Sequence, residues 1–300
     1  MSLLVVGSIA LDTVKTPFGE RTDVLGGAAC FFSVAASFFT PVRLLGVIGD
    51  DFPDRHVQLL RSRGIDLTGL ERRVGGKTFR WSGSYEGRMD IATTRDVKLN
   101  VLGEFKPTVP AAYLDSEFVF LANTDPVTQS HVIRQVEGRR FAMLDTMNLW
   151  IDTKRDALLE ALRLVDGVVM NDEEARSLGG SSNLIFAMNA LSNMGARLLV
   201  VKKGEHGSVM LRNGEFFALP AYPLDGVVDP TGAGDTFAAG FVGHLASTQD
   251  LSWANLKRAL AYGTVTASYT VEDFSLDRLL SIDRSDLDRR LNTFVSMTTW

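Results

Sequence analysis

Apolar and polar positions fall into blocks along the chain: short, nearly continuous apolar runs separated by longer stretches with helical spacing. The runs predict strands at Leu3–Ile9, Val42–Ile48, Glu117–Leu121, Phe141–Leu144, Gly167–Met170 and Leu198–Val201. The spaced stretches predict helices over Ala29–Phe39, Asp54–Ser62, Gln129–Val136, Arg155–Leu164, Asn183–Met194, Ala233–Leu245 and Trp253–Tyr269, with a closing amphipathic helix from Asp286 to Val295. Strands that are apolar throughout must be covered on both faces, so the alternation with helices predicts an α/β fold around a parallel sheet. One interval breaks the rhythm. Between Arg72 and Phe105 lie Gly75-Gly76, Gly83, Gly87 and the alternating segment Thr78–Tyr85, a hairpin-like pattern. No repeat, low-complexity tract or linker divides the chain.

The candidate chemistry is concentrated in residues 229–241, Asp-Pro-Thr-Gly-Ala-Gly-Asp-Thr-Phe-Ala-Ala-Gly-Phe. Gly232 and Gly234 let a ligand come close to the main chain, and an apolar helix follows from Ala233. The first turn of such a helix aims unpaired N–H groups and the positive end of the dipole at an anion. Asp235, inside that turn, is placed to take a proton from a hydroxyl attacking the anion. Taken alone, the same residues also suit a capped helix behind a glycine turn.

The whole string resembles the C-terminal signature of the ribokinase (PfkB) family of carbohydrate and nucleoside kinases. Further segments resemble that family in the same order. They are Leu25-Gly26-Gly27-Ala28-Ala29 before a helix, Gly46-Val47-Ile48-Gly49-Asp50 at a strand end, Asn171-Asp172-Glu173-Glu174 after a strand, and Gly204-Glu205-His206-Gly207 in a turn. The resemblance covers nearly the full length. It implies one ribokinase-like domain over residues 1–300: a three-layer sandwich with a mostly parallel central sheet, helices on both faces, and a small β lid formed by about 13–25 and 72–105.

The resemblance also implies roles. Asp235 is the general base, and the N–H groups of Gly232, Ala233 and Gly234 form the anion hole. Asp12, Gly26, Gly27 and Phe31 meet the acceptor. Lys202, Gly204, Gly207 and Thr231 meet the nucleotide, with Lys203 also near the phosphates. Asn171 and Glu174 organise Mg²⁺ mainly through water, although Asn171 also suits a helix cap. Asp229, with Thr231, matches positions that hold a monovalent cation such as K⁺ in some members. Expected partners are ATP and a sugar or nucleoside, with a homodimer formed through the lids.

Three departures bear on the acceptor. Ala28-Ala29-Cys30-Phe31 places an aromatic ring where an asparagine often contacts the sugar. Asp145-Thr146-Met147-Asn148-Leu149-Trp150 carries tryptophan where some sugar kinases have arginine. Lys202 stands where threonine is common. The reaction class stands, and Phe31, Phe79, Trp81, Tyr85 and Trp150 offer surfaces for a base or a sugar face. The leading expectation is an ATP-dependent kinase of a sugar or sugar derivative. The alternatives are a nucleoside kinase and a non-catalytic sugar- or nucleotide-binding sensor, the last disfavoured by the intact Asp235.

Composition removes other classes. A net charge of −5 over 300 residues argues against a nucleic-acid or anionic-membrane binder. A single cysteine, Cys30 among apolar neighbours, excludes an internal disulfide and fits a packing thiol in a reducing compartment. The N-terminus lacks a basic leader, and no apolar stretch nears the roughly 20 residues that span a bilayer. The expected location is the cytoplasm. No Gly-x-x-x-x-Gly-Lys-Ser/Thr string occurs, and Gly-x-Gly-x-x-Gly follows no candidate strand, which disfavours P-loop and Rossmann enzymes.

Overall fold

The apolar runs do assemble into one large sheet in a computed structural model that describes residues 2–87, 89 and 91–299. In chain order the strands are β1 (Leu3–Val6), β2 (Ala10–Thr16), β3 (Gly19–Gly26), β4 (Val42–Gly49), β5 (Asp66–Arg73), β6 (Phe79–Ser84) and β7 (Thr93–Lys98). They continue as β8 (Phe118–Leu121), β9 (Phe141–Asp145), β10 (Gly167–Asn171), β11 (Leu198–Lys202), β12 (Ser208–Arg212) and β13 (Glu215–Leu219). The large sheet has nine strands in the order β13-β12-β11-β10-β9-β8-β1-β4-β5. Strands β5 through β11 in this order pair in parallel, and the hairpin β12–β13 closes one edge antiparallel.

Alternation along each strand feeds two cores. Leu3 and Val5 of β1 face one, while Leu4 and Val6 face the other. The first core is completed by helices Ala28–Ala36, Ala233–Thr248, Trp253–Thr270 and Arg284–Thr298, with Phe32 stacked on Phe120 at a ring separation of 4.0 Å. Val132, Leu158, Leu178 and Leu191, from helices on the opposite face, complete the second.

The position of the site follows from topology. Strand β1 lies between β4 and β8, so the chain first builds outward to β5 and then returns to build the other way. Ligands of open parallel sheets collect outside the carboxyl ends of strands where the direction reverses. A second sheet, β3-β2-β6-β7, stands over that edge. Its β2 follows β1 after three residues, and a register shift between Asp12 and Val14 interrupts its pairing with β3.

Several boundaries differ from expectation. Strand β1 stops at Val6, because beyond it the Ser8 Oγ accepts the Ala28 N–H at 3.0 Å and fixes the turn into β2. The small sheet starts at Ala10 rather than residue 13. Residues 72 and 73 belong to β5 of the large sheet, and Asn100–Glu104 form a 3₁₀ turn. Strand β5, Asp-Leu-Thr-Gly-Leu-Glu-Arg-Arg, is too polar to register as a strand; it lies at an edge where one side needs no burial. The predicted elements also omit the β12–β13 hairpin. Its two-residue turn, Asn213-Gly214 with φ of 52° and 80°, is nonetheless a strong sequence signal.

Tyr113 fastens β5. Fully buried, its hydroxyl donates to the Asp66 carbonyl at 2.9 Å and accepts the Gly69 N–H at 3.1 Å. Tyr113→Phe leaves both strand groups without that partner. Denaturant unfolding should show a loss of about 1–3 kcal/mol, and an unchanged midpoint would remove the fastening role.

Candidate active site

Three adjacent parallel strands end in polar side chains at the same edge: Asp145 closes β9, Asn171 closes β10 and Lys202 closes β11. Asn171 and Lys202 are register partners. The helix Ala233–Thr248 starts against this edge, with Gly232 as its N-cap and Asp235 in its first turn. Gly234 and Lys202 are in close approach, since a Cβ on Gly234 would lie 2.8 Å from the lysine Nζ.

The N–H groups at the helix start, expected at 232, 233 and 234 to form an anion hole, are not all free. The Ala233 N–H donates to the Pro230 carbonyl at 3.2 Å, closing the turn that precedes the helix. Among the described residues, the N–H groups of Gly232, Gly234 and Asp235 have no such acceptor. The free donors are therefore 232, 234 and 235, rather than 232, 233 and 234. Gly232 sits at φ 77° above the Phe31 ring, and a Cβ there would fall 2.3 Å from Phe31 Cδ1. Both facts demand glycine. Phe31, expected beside the acceptor, is buried beneath this loop and supports it from below.

Asp12 reaches the same edge from the small sheet. Its carboxyl lies so close to Gly26 that a Cβ on that residue would be 1.9 Å from Oδ2. Buried Oδ1 has no hydrogen-bond partner among the described residues. A buried acceptor without a donor is costly. Burial pushes Asp12 up to about 7; the Gly27 N–H pulls it down, while Asp229 and Asp235 push it further up. Asp235 is likewise pushed up to about 7, by burial first and then by Asp145, with Lys202 acting in the opposite sense.

The Asp229 carboxylate receives the Thr231 N–H at 2.9 Å on Oδ1 and the Ser275 N–H at 3.0 Å on Oδ2. Ser275 in turn donates its hydroxyl to the Leu25 carbonyl at 2.7 Å, tying the helix loop to β3. The residue expected to hold a monovalent cation thus clasps three segments together. Thr231 Oγ1 meets the Tyr85 hydroxyl at 3.3 Å, so the small sheet touches the same loop. Tyr85 is buried with Val14 and Met89, and Trp81, Ala92 and Val227 pack against them.

Asn171 and Glu174 form a reciprocal capping box. Asn171 Oδ1 accepts the Glu174 N–H, and Glu174 Oε2 accepts the Asn171 N–H, each at 2.7 Å. Both expectations for Asn171 concerned this spot, and the cap is present. Burial, opposed by Lys202 and reinforced by Asp145, pushes Glu174 up to about 7. Gly204 and Gly207 flank a 3₁₀ turn after β11. Lys203 reaches the His206 carbonyl at 3.4 Å instead of joining the cluster.

Lys202 lies inside the cluster, 3.5 Å from Asp145 Oδ2 and with 18% of its side chain exposed. Burial works against its charge, but Asp145, Glu174 and Asp235 together hold its pKa above the ordinary lysine value. Asp145 received no role from the sequence, although a carboxylate closing an apolar strand at the ligand edge is itself a signal. No helix among the described residues is long and apolar enough to cross a membrane.

Residues 4–281 match the family model described as pfkB family carbohydrate kinase. The chain is 32% identical over 249 residues to a cytidine kinase of Thermococcus kodakarensis, covering 81% of this chain and 87% of the relative. Its fold superposes on the nucleoside kinase of Methanocaldococcus jannaschii, an archaeal ribokinase-family member, with a TM-score of 0.79 at 21% identity, over 97% and 98% of the two chains. A fructokinase of Vibrio cholerae, solved with fructose, ADP and calcium ion, superposes with a TM-score of 0.80 at 18% identity, over 97% of this chain and 98% of that one.

The raised Asp235 carries a stability consequence. A carboxyl whose folded pKa lies above its unfolded value stabilises the fold below the unfolded pKa, and that contribution is lost as pH rises through about 7. In the ligand-free protein, Asp235→Asn should therefore raise the melting temperature by a few degrees at pH 8 and by clearly less at pH 5, where the carboxyl is still protonated in the fold. An equal shift at both pH values would contradict the burial of this charge.

Proposed function

The chain belongs to the pfkB family of carbohydrate and nucleoside kinases, phosphotransferases with an alcohol acceptor, and from that premise we propose that it transfers the γ-phosphoryl group of Mg·ATP to a hydroxyl of a nucleoside. The observation that carries the reaction is the juxtaposition of Asp235 with the free N–H groups of residues 232, 234 and 235 at one helix start. The acceptor hydroxyl gives its proton to an Asp235 oxygen while the N–H groups receive the charge of the moving phosphoryl group. A base pushed up to about 7 by burial is matched to work near neutral pH.

The nucleoside acceptor is supported by two kinds of observation. The unpartnered Asp12 Oδ1 suits ribose hydroxyls, and the buried apolar cluster of Tyr85, Val14 and Met89, with Trp81 packed against it, would back an aromatic base. The relative aligned with four-fifths of the chain is a cytidine kinase. On the donor side, Lys202, Gly204, Gly207 and Thr231 line the nucleotide. Oxygen donors at Asn171 and Glu174 suit Mg²⁺; their capping bonds leave them to act mainly through its water shell. That ion would neutralise the phosphates.

The test is ADP release from Mg·ATP over a panel of nucleosides, pentoses, hexoses and sugar acids. Cytidine or another nucleoside should give the highest kcat/KM, and Asp235→Asn should lower kcat by about 10²–10⁴-fold while ATP still binds. A free sugar as best acceptor would overturn the nucleoside assignment, and turnover retained by Asp235→Asn would overturn the base.

A further inference from the structure

Lys202 occupies an electrostatically odd place. Its ammonium lies against Gly234, in the first turn of the helix Ala233–Thr248, where the dipole and unpaired N–H groups repel a cation and attract an anion. The side chain is largely buried, and its ion pair with Asp145 is long, at 3.5 Å. Glu174 and Asp235 also act on the ammonium and keep it charged, so a full positive charge stands at the helix start. Asp145 lies at the end of β9 and keeps the lysine at the mouth of the helix. A phosphoryl group seated on the free N–H groups of 234 and 235 would also meet the ammonium, and each would relieve the other's repulsion.

We infer that Lys202 is the ammonium that follows the phosphoryl group from donor to acceptor, and that Asp145 is the positioning residue that holds it at the helix start. The inference rests on the kinase reaction proposed above. In that step the acceptor oxygen forms its bond to the γ-phosphorus as the bond to the β,γ-bridging oxygen breaks. The bridging electron pair stays with ADP, and the hydroxyl proton passes to Asp235. Charge on the three equatorial oxygens peaks midway, where the ammonium and the N–H groups share it. Lys202 is thereby distinct from a residue that merely anchors ADP.

The test compares Lys202→Gln, Asp145→Asn and the double variant with the wild-type enzyme, each first shown to be folded by its melting curve and circular-dichroism spectrum. Lys202→Gln should lower kcat by about 10²–10³-fold, weaken a non-hydrolysable ATP analogue by about tenfold, and leave ADP affinity within about twofold. Asp145→Asn should lower kcat with little change in KM for ATP. The double variant should be as slow as Lys202→Gln alone. Recovery of the wild-type rate in the double variant would show that the lysine only neutralises Asp145, and would overturn the inference. So would wild-type kcat in Lys202→Gln. The ATP-analogue and ADP affinities need no acceptor, so they decide the role of Lys202 even if no nucleoside on the panel is phosphorylated; equal losses for both ligands would overturn it.

Discussion

Like charges repel most strongly where water is excluded, and this chain gathers Asp145, Glu174 and Asp235 around a single ammonium at one edge of a sheet, with Asp12 facing Asp235 from the small sheet. Everything else in the fold serves to hold them there. The parallel strands end at the same edge: Asn171 and Lys202 are register partners, and Asp145 ends β9 opposite Val169, two residues before Asn171. Two apolar cores, one on each face, supply the stability that a cluster of buried carboxyls takes away. Asp229 then ties the catalytic loop to β3 through Ser275, so the glycine turn cannot relax outward from Asp235.

The site leaves several of its polar groups unpaired. Among the described residues, Asp12 has a buried oxygen with no donor, and the helix start has N–H groups with no acceptor. An acceptor hydroxyl, a polyphosphate and a divalent cation would each satisfy something the protein leaves open. The small sheet contributes through Tyr85, whose hydroxyl meets Thr231 in the loop before the helix Ala233–Thr248.

Much of this was legible in the residues. Strands with continuous apolar runs and helices with clean spacing, such as Asp54–Ser62, fall where the periodicity places them, because burial on both faces leaves no other solution. Strand β5 was not legible: an edge strand buries one side only, and its Asp, Thr, Glu and Arg residues read as surface. The catalytic string announced a loop, a helix start and a carboxylate, yet which N–H groups are free depends on the Ala233-to-Pro230 bond, a matter of three-dimensional closure. Phe31 illustrates the same limit. Its ring lies under Gly232, 201 positions away in sequence, and no local pattern encodes that contact. The partnership of Asp145 with Lys202 is equally non-local, joining the ends of β9 and β11 across β10.

The most direct measurement is the pH profile of kcat/KM for the nucleoside acceptor at saturating Mg·ATP. With Asp235 as a buried base pushed up to about 7, only the ionised carboxylate accepts the hydroxyl proton. The rate constant should hold steady above pH 8 and fall as pH drops through about 7. A profile flat from pH 8 down to pH 5 would show that no group of this kind is needed, and would contradict the account.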